Sequence, residues 1–179
     1  MPKIAVLVGS PSSPSRTAYV AAHVGELLAR AGHDVTSVSI RDLPAEDLLR
    51  ARTSSPEIAH ALAAVDAADA VVVATPIYKA SFAGVLKVFL DLLPQTAFAG
   101  KTVLVIATGG ASAHVLAIDY ALRPVLMALG AAHVAPAYVM LEKGVPSSDA
   151  GYALTPESAT KLDEMASQFA RIVALGSLG

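Results

Sequence analysis

The 179 residues include no cysteine, which removes a disulfide framework, a thiolate nucleophile, an iron–sulfur cluster and a cysteine zinc site together. Any redox chemistry therefore needs a borrowed cofactor. Charge is scarce as well: thirteen Lys and Arg against fifteen Asp and Glu leave a formal net charge of −2. The basic footprint of a nucleic-acid binder is missing, and no nucleic acid is expected as a partner. No apolar run reaches membrane-spanning length, and Met1-Pro2-Lys3 leads into an apolar strand without the stretches of a signal peptide. A cytoplasmic protein without a membrane is expected. Neither G-x-x-x-x-G-K-[ST] nor G-x-G-x-x-G occurs, so the common P-loop and dinucleotide fingerprints are absent. His23, His33, His60 and His133 show no metal-ligand spacing, and no metal is expected.

What is present is apolar surface: 54% of the residues are hydrophobic, enough at this length for one sizeable core, so a single domain over residues 1–179 is expected. The richness in alanine and valine also points to surface buried between subunits, and hence to a homo-oligomer. Four apolar runs recur, Ile4–Val8, Ala70–Ala74, Val103–Ala107 and Val134–Val139. They lack polar alternation and suit strands covered on both faces. A weaker run, Val35–Ile40, alternates like an edge strand, and Pro136 marks a second edge because it cannot donate to a ladder.

Helical patterns separate the runs. The first carries Val20, Val24, Leu27 and Leu28 behind Ser15, and the second starts at Ser55-Pro56-Glu57. A third runs from Phe82 to Leu93 before Pro94, and the last follows Thr155-Pro156-Glu157. Five alternations of strand and helix imply an α/β, doubly wound parallel sheet with helices on both faces. Ligands of such sheets sit outside the carboxyl ends of the strands, which directs attention to the segments after Val8, Ala74 and Ala107.

The first segment, Gly9 to Thr17, is rich in hydroxyls and enters a helix amino terminus, where unpaired N–H groups and Arg16 favour a phosphate. An ordinary capped turn accounts for the same serines and prolines. A phosphorelay receiver domain needs carboxylates at strand ends, and Gly9 and Thr75 stand there instead. The second segment, Thr75 to Phe82, sets Ile77, Tyr78 and Lys79 side by side, partners for a flat heterocycle, although the tyrosine could equally cap the core. In the third, Thr108-Gly109-Gly110 lets the backbone approach a ligand closely, with N–H groups able to stabilise negative charge on a reduced ring. His114 lies against such a ring or in solvent.

These segments, G-S-P-x-x-P-S-R, A-T-P-I-Y-K and A-T-G-G-x-x-A-H, resemble the NADPH-dependent FMN reductase family. Residues Glu46–Arg52, Leu86–Lys87, Leu90–Pro94 and Asp119–Leu126 resemble the FMN reductases of two-component alkanesulfonate monooxygenase systems. The resemblance implies a flavodoxin-like five-stranded parallel sheet in the order 2-1-3-4-5, a dimer or tetramer, and FMN used as a substrate. It places the FMN phosphate at Ser10, Ser15, Arg16 and Thr17, and the isoalloxazine at Pro76, Ile77, Tyr78, Lys79, Thr108, Gly109 and Gly110, with His114 nearby. Ser13 stands where relatives often carry arginine. NADPH, or NADH, would supply hydride to flavin N5, and reduced FMN would pass to a partner monooxygenase. The rivals are a quinone or azo reductase with prosthetic FMN and a non-enzymatic electron carrier. Carriers of that kind are usually strongly acidic, unlike this chain.

One more helix, Val115–Leu129, has few polar residues, namely Asp119, Tyr120 and Arg123, and needs cover beyond its own sheet. A subunit interface is expected there. Pro124 conflicts with the carbonyl of Tyr120, so the helix should kink or widen into a π-bulge. The resemblance implies a π-helix tyrosine at a subunit contact, with Tyr120 serving flavin release; the alternative is a plain proline kink with Tyr120 in the core. Arg16, Arg41, Arg50 and Arg52 are candidates for a ribose phosphate.

Overall fold

The computed structural model describes residues 1–111, 113, 115–148 and 151–176. The elements in chain order are β1 (Lys3–Val8), α1 (Arg16–Arg30), β2 (Asp34–Ser39), α2 (Ala45–Leu49), α3 (Pro56–Asp66), β3 (Ala70–Tyr78), β4 (Ser81–Phe82) and α4 (Gly84–Leu90). There follow β5 (Thr102–Gly109), α5 (Val115–Ala117), a π-helical turn (Ile118–Leu122), α6 (Arg123–Ala128), β6 (His133–Val134), β7 (Tyr138–Leu141), a short β8–β9 hairpin (Ser147–Ser148, Gly151–Tyr152) and α7 (Pro156–Gly176).

The central sheet runs β2-β1-β3-β5-β6, all parallel, with β7 pairing β5 beyond β6. This is the flavodoxin-like order 2-1-3-4-5, with its fifth position divided between β6 and β7. The break falls at Ala135-Pro136-Ala137 on the outer strand, where the missing proline donor is tolerated.

The apolar runs divide by parity although no polar residue marks the alternation. Leu7, Val71, Val73, Val103 and Val105 pack on α3, α4 and the π-helical turn, through residues such as Ile58, Leu86 and Ile118. Ile4, Val6, Val72, Leu104 and Ile106 pack on α1 and α7, through residues such as Val24, Leu28, Leu162 and Phe169. A parallel strand with both faces covered keeps its period of two while losing its polar signature. The edge strand β2 does not keep the alternation its sequence suggests: Val35 and Val38 pack on opposite faces of the sheet, and Thr36 and Ser37 between them are both exposed.

Two boundaries differ from the sequence reading. The strand β3 continues to Tyr78, and Phe82 belongs to β4, where it pairs with Ile77, rather than to the third helix. Pro76 is accommodated because β1 ends at Val8 opposite Ala74, leaving β3 an edge beyond that point. The helix α4 ends at Leu90, after which Leu92 and Leu93 donate three residues back, to Phe89 and Leu90, and tighten the chain before Pro94. Among the described residues no helix is long and apolar enough to cross a membrane.

Candidate functional site

Four segments meet at the carboxyl edge of the sheet. In the loop after β1, the Gly9 N–H donates to the Ala74 carbonyl at 2.7 Å. A Cβ on Gly9 would stand 2.6 Å from the Leu86 Cβ, so only glycine lets α4 approach this loop so closely. The Ser15 hydroxyl donates to Ser10 Oγ at 2.7 Å and accepts the Ala18 N–H at 3.1 Å, which caps α1. No acidic side chain occupies the first turn of α1, so its positive end has no internal counter-charge. The buried Thr17 and Thr108 hydroxyls lie 2.6 Å apart and fasten the start of α1 to the end of β5.

The second segment is a hairpin rather than the loop expected from sequence. Ile77 and Tyr78 pair antiparallel with Phe82 and Ser81, and Lys79 and Ala80 turn the chain with φ of 49° and 59°. This resembles a type I′ turn, a geometry that usually selects Asn-Gly. Thr75 Oγ1 accepts the Ala83 N–H at 3.0 Å and fixes the hairpin base. Tyr78 is 45% exposed, and its hydroxyl lies 3.2 Å from Ser12 Oγ, which closes the first loop against the hairpin.

The third segment is the end of β5. Thr108 and Gly109 are strand residues paired with Met140 and Leu141, and Gly110 follows exposed. The fourth runs from Glu142 to Tyr152 and has no counterpart in the sequence reading. Arg16 reaches into it: Nε donates to the Val145 carbonyl at 3.1 Å, Nη1 lies 3.9 Å from Glu142 Oε2, and the guanidinium sits 5.2 Å from the centre of the Tyr152 ring. No local motif signals these contacts, because Val145 is 129 residues from Arg16.

Together the four line one cleft enclosing about 150 Å³. Of the sequence-predicted residues, Ser10, Ser15, Arg16, Thr17, Pro76, Ile77, Tyr78, Thr108, Gly109 and Gly110 line it, joined by Ser12, Pro14, Glu142 and Tyr152. Lys79 sits exposed at the hairpin tip and is not part of the lining. His114 lies outside the described residues. Arg41 donates to the Ser12 carbonyl and pairs with Asp42, bracing the first loop. Arg50 and Arg52 are paired with acids of α2.

A larger hollow, of about 500 Å³, lies between β7 and the start of α7. Its Lys161 is tied to Glu157 at 2.5 Å, and that hydrogen bond holds the Glu157 carboxyl below its usual range. Burial there pushes the Tyr138 phenol up. The smaller cleft has the better claim as a ligand site, because the ends of β1, β3 and β5 converge on it at the reversal of strand order. Among the described residues no three His, Asp or Glu side chains could hold a metal ion together.

The expected distortion of the fifth helix is present. The Arg123 N–H donates five residues back, to the Ile118 carbonyl, which makes Ile118–Leu122 a π-helical turn directly before Pro124. Asp119 pairs with Arg123 at 3.1 Å across the bulge. Tyr120 is 80% exposed rather than packed in the core, and Leu116 and Met127 on the same helical stretch are 54% and 53% exposed.

Residues 2–146 match the family of NADPH-dependent FMN reductases. The chain belongs to that family of oxidoreductases. It is 53% identical over 123 residues to FMN reductase (NADPH) of Pseudomonas putida strain KT2440, a match covering 69% of this chain and 62%, less than two thirds, of that relative. It is 40% identical over 161 residues to FMN reductase (NADPH) of Escherichia coli K12, covering 90% of this chain and 84% of the relative. The apo structure of NADH:FMN oxidoreductase (EMOB) superposes with a TM-score of 0.85 at 41% identity, over 95% of this chain and 89% of the other.

Proposed function

We propose that this member of the family is an NAD(P)H-dependent FMN reductase whose substrate FMN binds in the cleft described above. The observation that carries the reading is the convergence of ten sequence-predicted residues from three strand ends on one cleft beside a helix amino terminus. On this reading the hydroxyls of Ser10, Ser12, Ser15 and Thr17 surround the phosphate, with Arg16 and the positive end of α1 as counter-charge. Pro76, Ile77 and Tyr78 bear on the ring, while the backbone at Gly109 and Gly110 supplies N–H donors without a side chain in the way. When bound, the flavin accepts hydride at N5 from the nicotinamide, and the protein needs no acid–base triad of its own. Its task is to hold two rings at reacting distance.

The enclosed volume is smaller than the 300–1,000 Å³ or so of typical small-molecule sites. A ligand as large as a flavin therefore keeps part of its surface outside the enclosed space, which suits a flavin that comes and goes, handed after reduction to a partner monooxygenase of the kind that sulfonate assimilation uses. The reading takes residues 1–179 as one FMN-binding domain, acting in the cytoplasm as a homo-oligomer through the exposed face of Leu116, Tyr120 and Met127. Relatives with either nicotinamide donor occur, so both are tested. The experiment follows NADPH and NADH oxidation at 340 nm with and without added FMN. Turnover that depends on free FMN is expected; flavin that neither binds nor exchanges would overturn the proposal.

A further inference from the structure

We infer that Glu142 sets the flavin affinity of the cleft low by competing with the FMN phosphate for Arg16. The inference rests on the proposed FMN reductase reading and deepens it by naming the residue that favours release. Among the described residues that line the cleft, Arg16 is the one cation and Glu142 the one anion. The first loop contributes only hydroxyls, prolines and backbone besides Arg16, so this guanidinium is the one charged side chain the loop offers the phosphate, beside the positive end of α1.

The guanidinium is already engaged by the segment after β7. Nε is committed to the Val145 carbonyl at 3.1 Å, and Tyr152 stacks near it at 5.2 Å, which together orient the side chain. Nη1 faces Glu142 Oε2 at 3.9 Å, beyond hydrogen-bond distance, with side chains 33% and 58% exposed. A pair this loose and this wet is easily exchanged for a phosphate oxygen. The backbone that carries the carboxylate stays at the cleft when that exchange occurs, because Glu142 directly follows Leu141, which is held in register with Gly109, so the charge remains within a side chain's length of the phosphate. A dianionic phosphate therefore binds near a tethered negative charge, and its gain from Arg16 is partly cancelled. FMN enters, but it is not trapped.

The test compares wild type, Glu142→Gln and Glu142→Asp in fluorescence titrations with FMN and with riboflavin, which lacks the phosphate. For charges a few ångström apart in a water-filled cleft, removing the carboxylate is expected to tighten FMN binding about tenfold and leave riboflavin binding unchanged. In turnover, Glu142→Gln should lower KM for FMN and lower kcat as release slows, while Glu142→Asp, which keeps the charge, should shift both by less. Equal or weaker FMN binding by Glu142→Gln, or equal tightening for both flavins, would overturn the inference while leaving the reductase reading intact. Wild-type protein that fails to bind FMN at all would overturn the reductase reading instead, and the inference with it.

Discussion

Gly9→Ala adds one methyl group at the point where the phosphate loop, β3 and α4 meet. The Gly9 backbone does not occupy the left-handed region, so alanine meets no conformational penalty and the whole effect is steric. The new Cβ would lie 2.6 Å from the Leu86 Cβ and 3.2 Å from its Cγ and Cδ1. Rotation about χ1 moves Cγ and Cδ1 away but leaves Cβ in place, so the loop or α4 must retreat by about 1 Å to reach an ordinary carbon–carbon separation. Leu86 is fully buried and packs in the same core as Phe89 and Ile118, which resists that retreat. Overpacking of this kind costs about 1–3 kcal/mol. For a chain of this size that corresponds to a fall in Tm of roughly 4–8 °C at the middle of the range. The displaced loop also carries Ser10 and Ser15, so FMN affinity should drop at least tenfold. Thermal unfolding followed by circular dichroism, with a parallel FMN titration, checks both. A variant with wild-type Tm and wild-type affinity would show that the loop and α4 are free to separate, and would refute the reasoning.

Other perturbations separate the parts of the site. Thr108→Val leaves the buried Thr17 hydroxyl without the partner now 2.6 Å away, and should cost about 1–3 kcal/mol in urea unfolding; a neutral result would mean that water replaces the bond. Ala80→Gly relieves a non-glycine residue at φ of 59° and should raise stability by about 1 kcal/mol, read as a Tm increase; a lower Tm would mean that the turn is not the constrained element. Tyr120→Ala removes a side chain that is 80% exposed, so protomer stability should change by less than about 0.5 kcal/mol. The same variant should dissociate at higher protein concentration in sedimentation and hold flavin more tightly at reduced turnover; unchanged assembly and turnover would reduce Tyr120 to surface decoration.

The sheet was legible in the sequence because apolar runs mark all its main strands except β2, and because Ser15, Ser55-Pro56 and Thr155-Pro156 announce helix starts. The π-helical turn was legible for a chemical reason: Pro124 cannot donate to the Tyr120 carbonyl and its ring crowds it, so the helix widens just before the proline, and Arg123 donates to Ile118 five residues back. The hairpin of Ile77–Phe82 was not legible, since its turn is Lys79-Ala80 and lacks the glycine or asparagine that marks such turns. Nor was the fourth wall of the cleft. Glu142, Val145 and Tyr152 reach Arg16 across more than a hundred residues, and only the tertiary arrangement brings them there.

That arrangement depends on one extra residue in the outer strand. Thr102 and Val103 pair with residues 31 positions later, His133 and Val134, whereas Ile106 to Gly109 pair with Tyr138 to Leu141, 32 positions later. The offset is a bulge at Ala135-Pro136-Ala137. Its effect is visible in the packing: Val134 faces the α3–α4 side and Ala135 the α1–α7 side, yet Ala137 faces the α3–α4 side and Tyr138 the α1–α7 side. Had the outer strand instead kept the offset of 31 with no bulge, the alternation would continue unbroken, turning Met140 out of the core that holds Phe169 and turning Val139 into it. The following residues would also shift along β5 by one strand position, about 3.3 Å. Glu142 would then no longer come off β7 opposite Gly110, and Arg16 would lose the carboxylate that faces it. The bulge around Pro136 thus sets the register that brings the Glu142 side chain to the cleft.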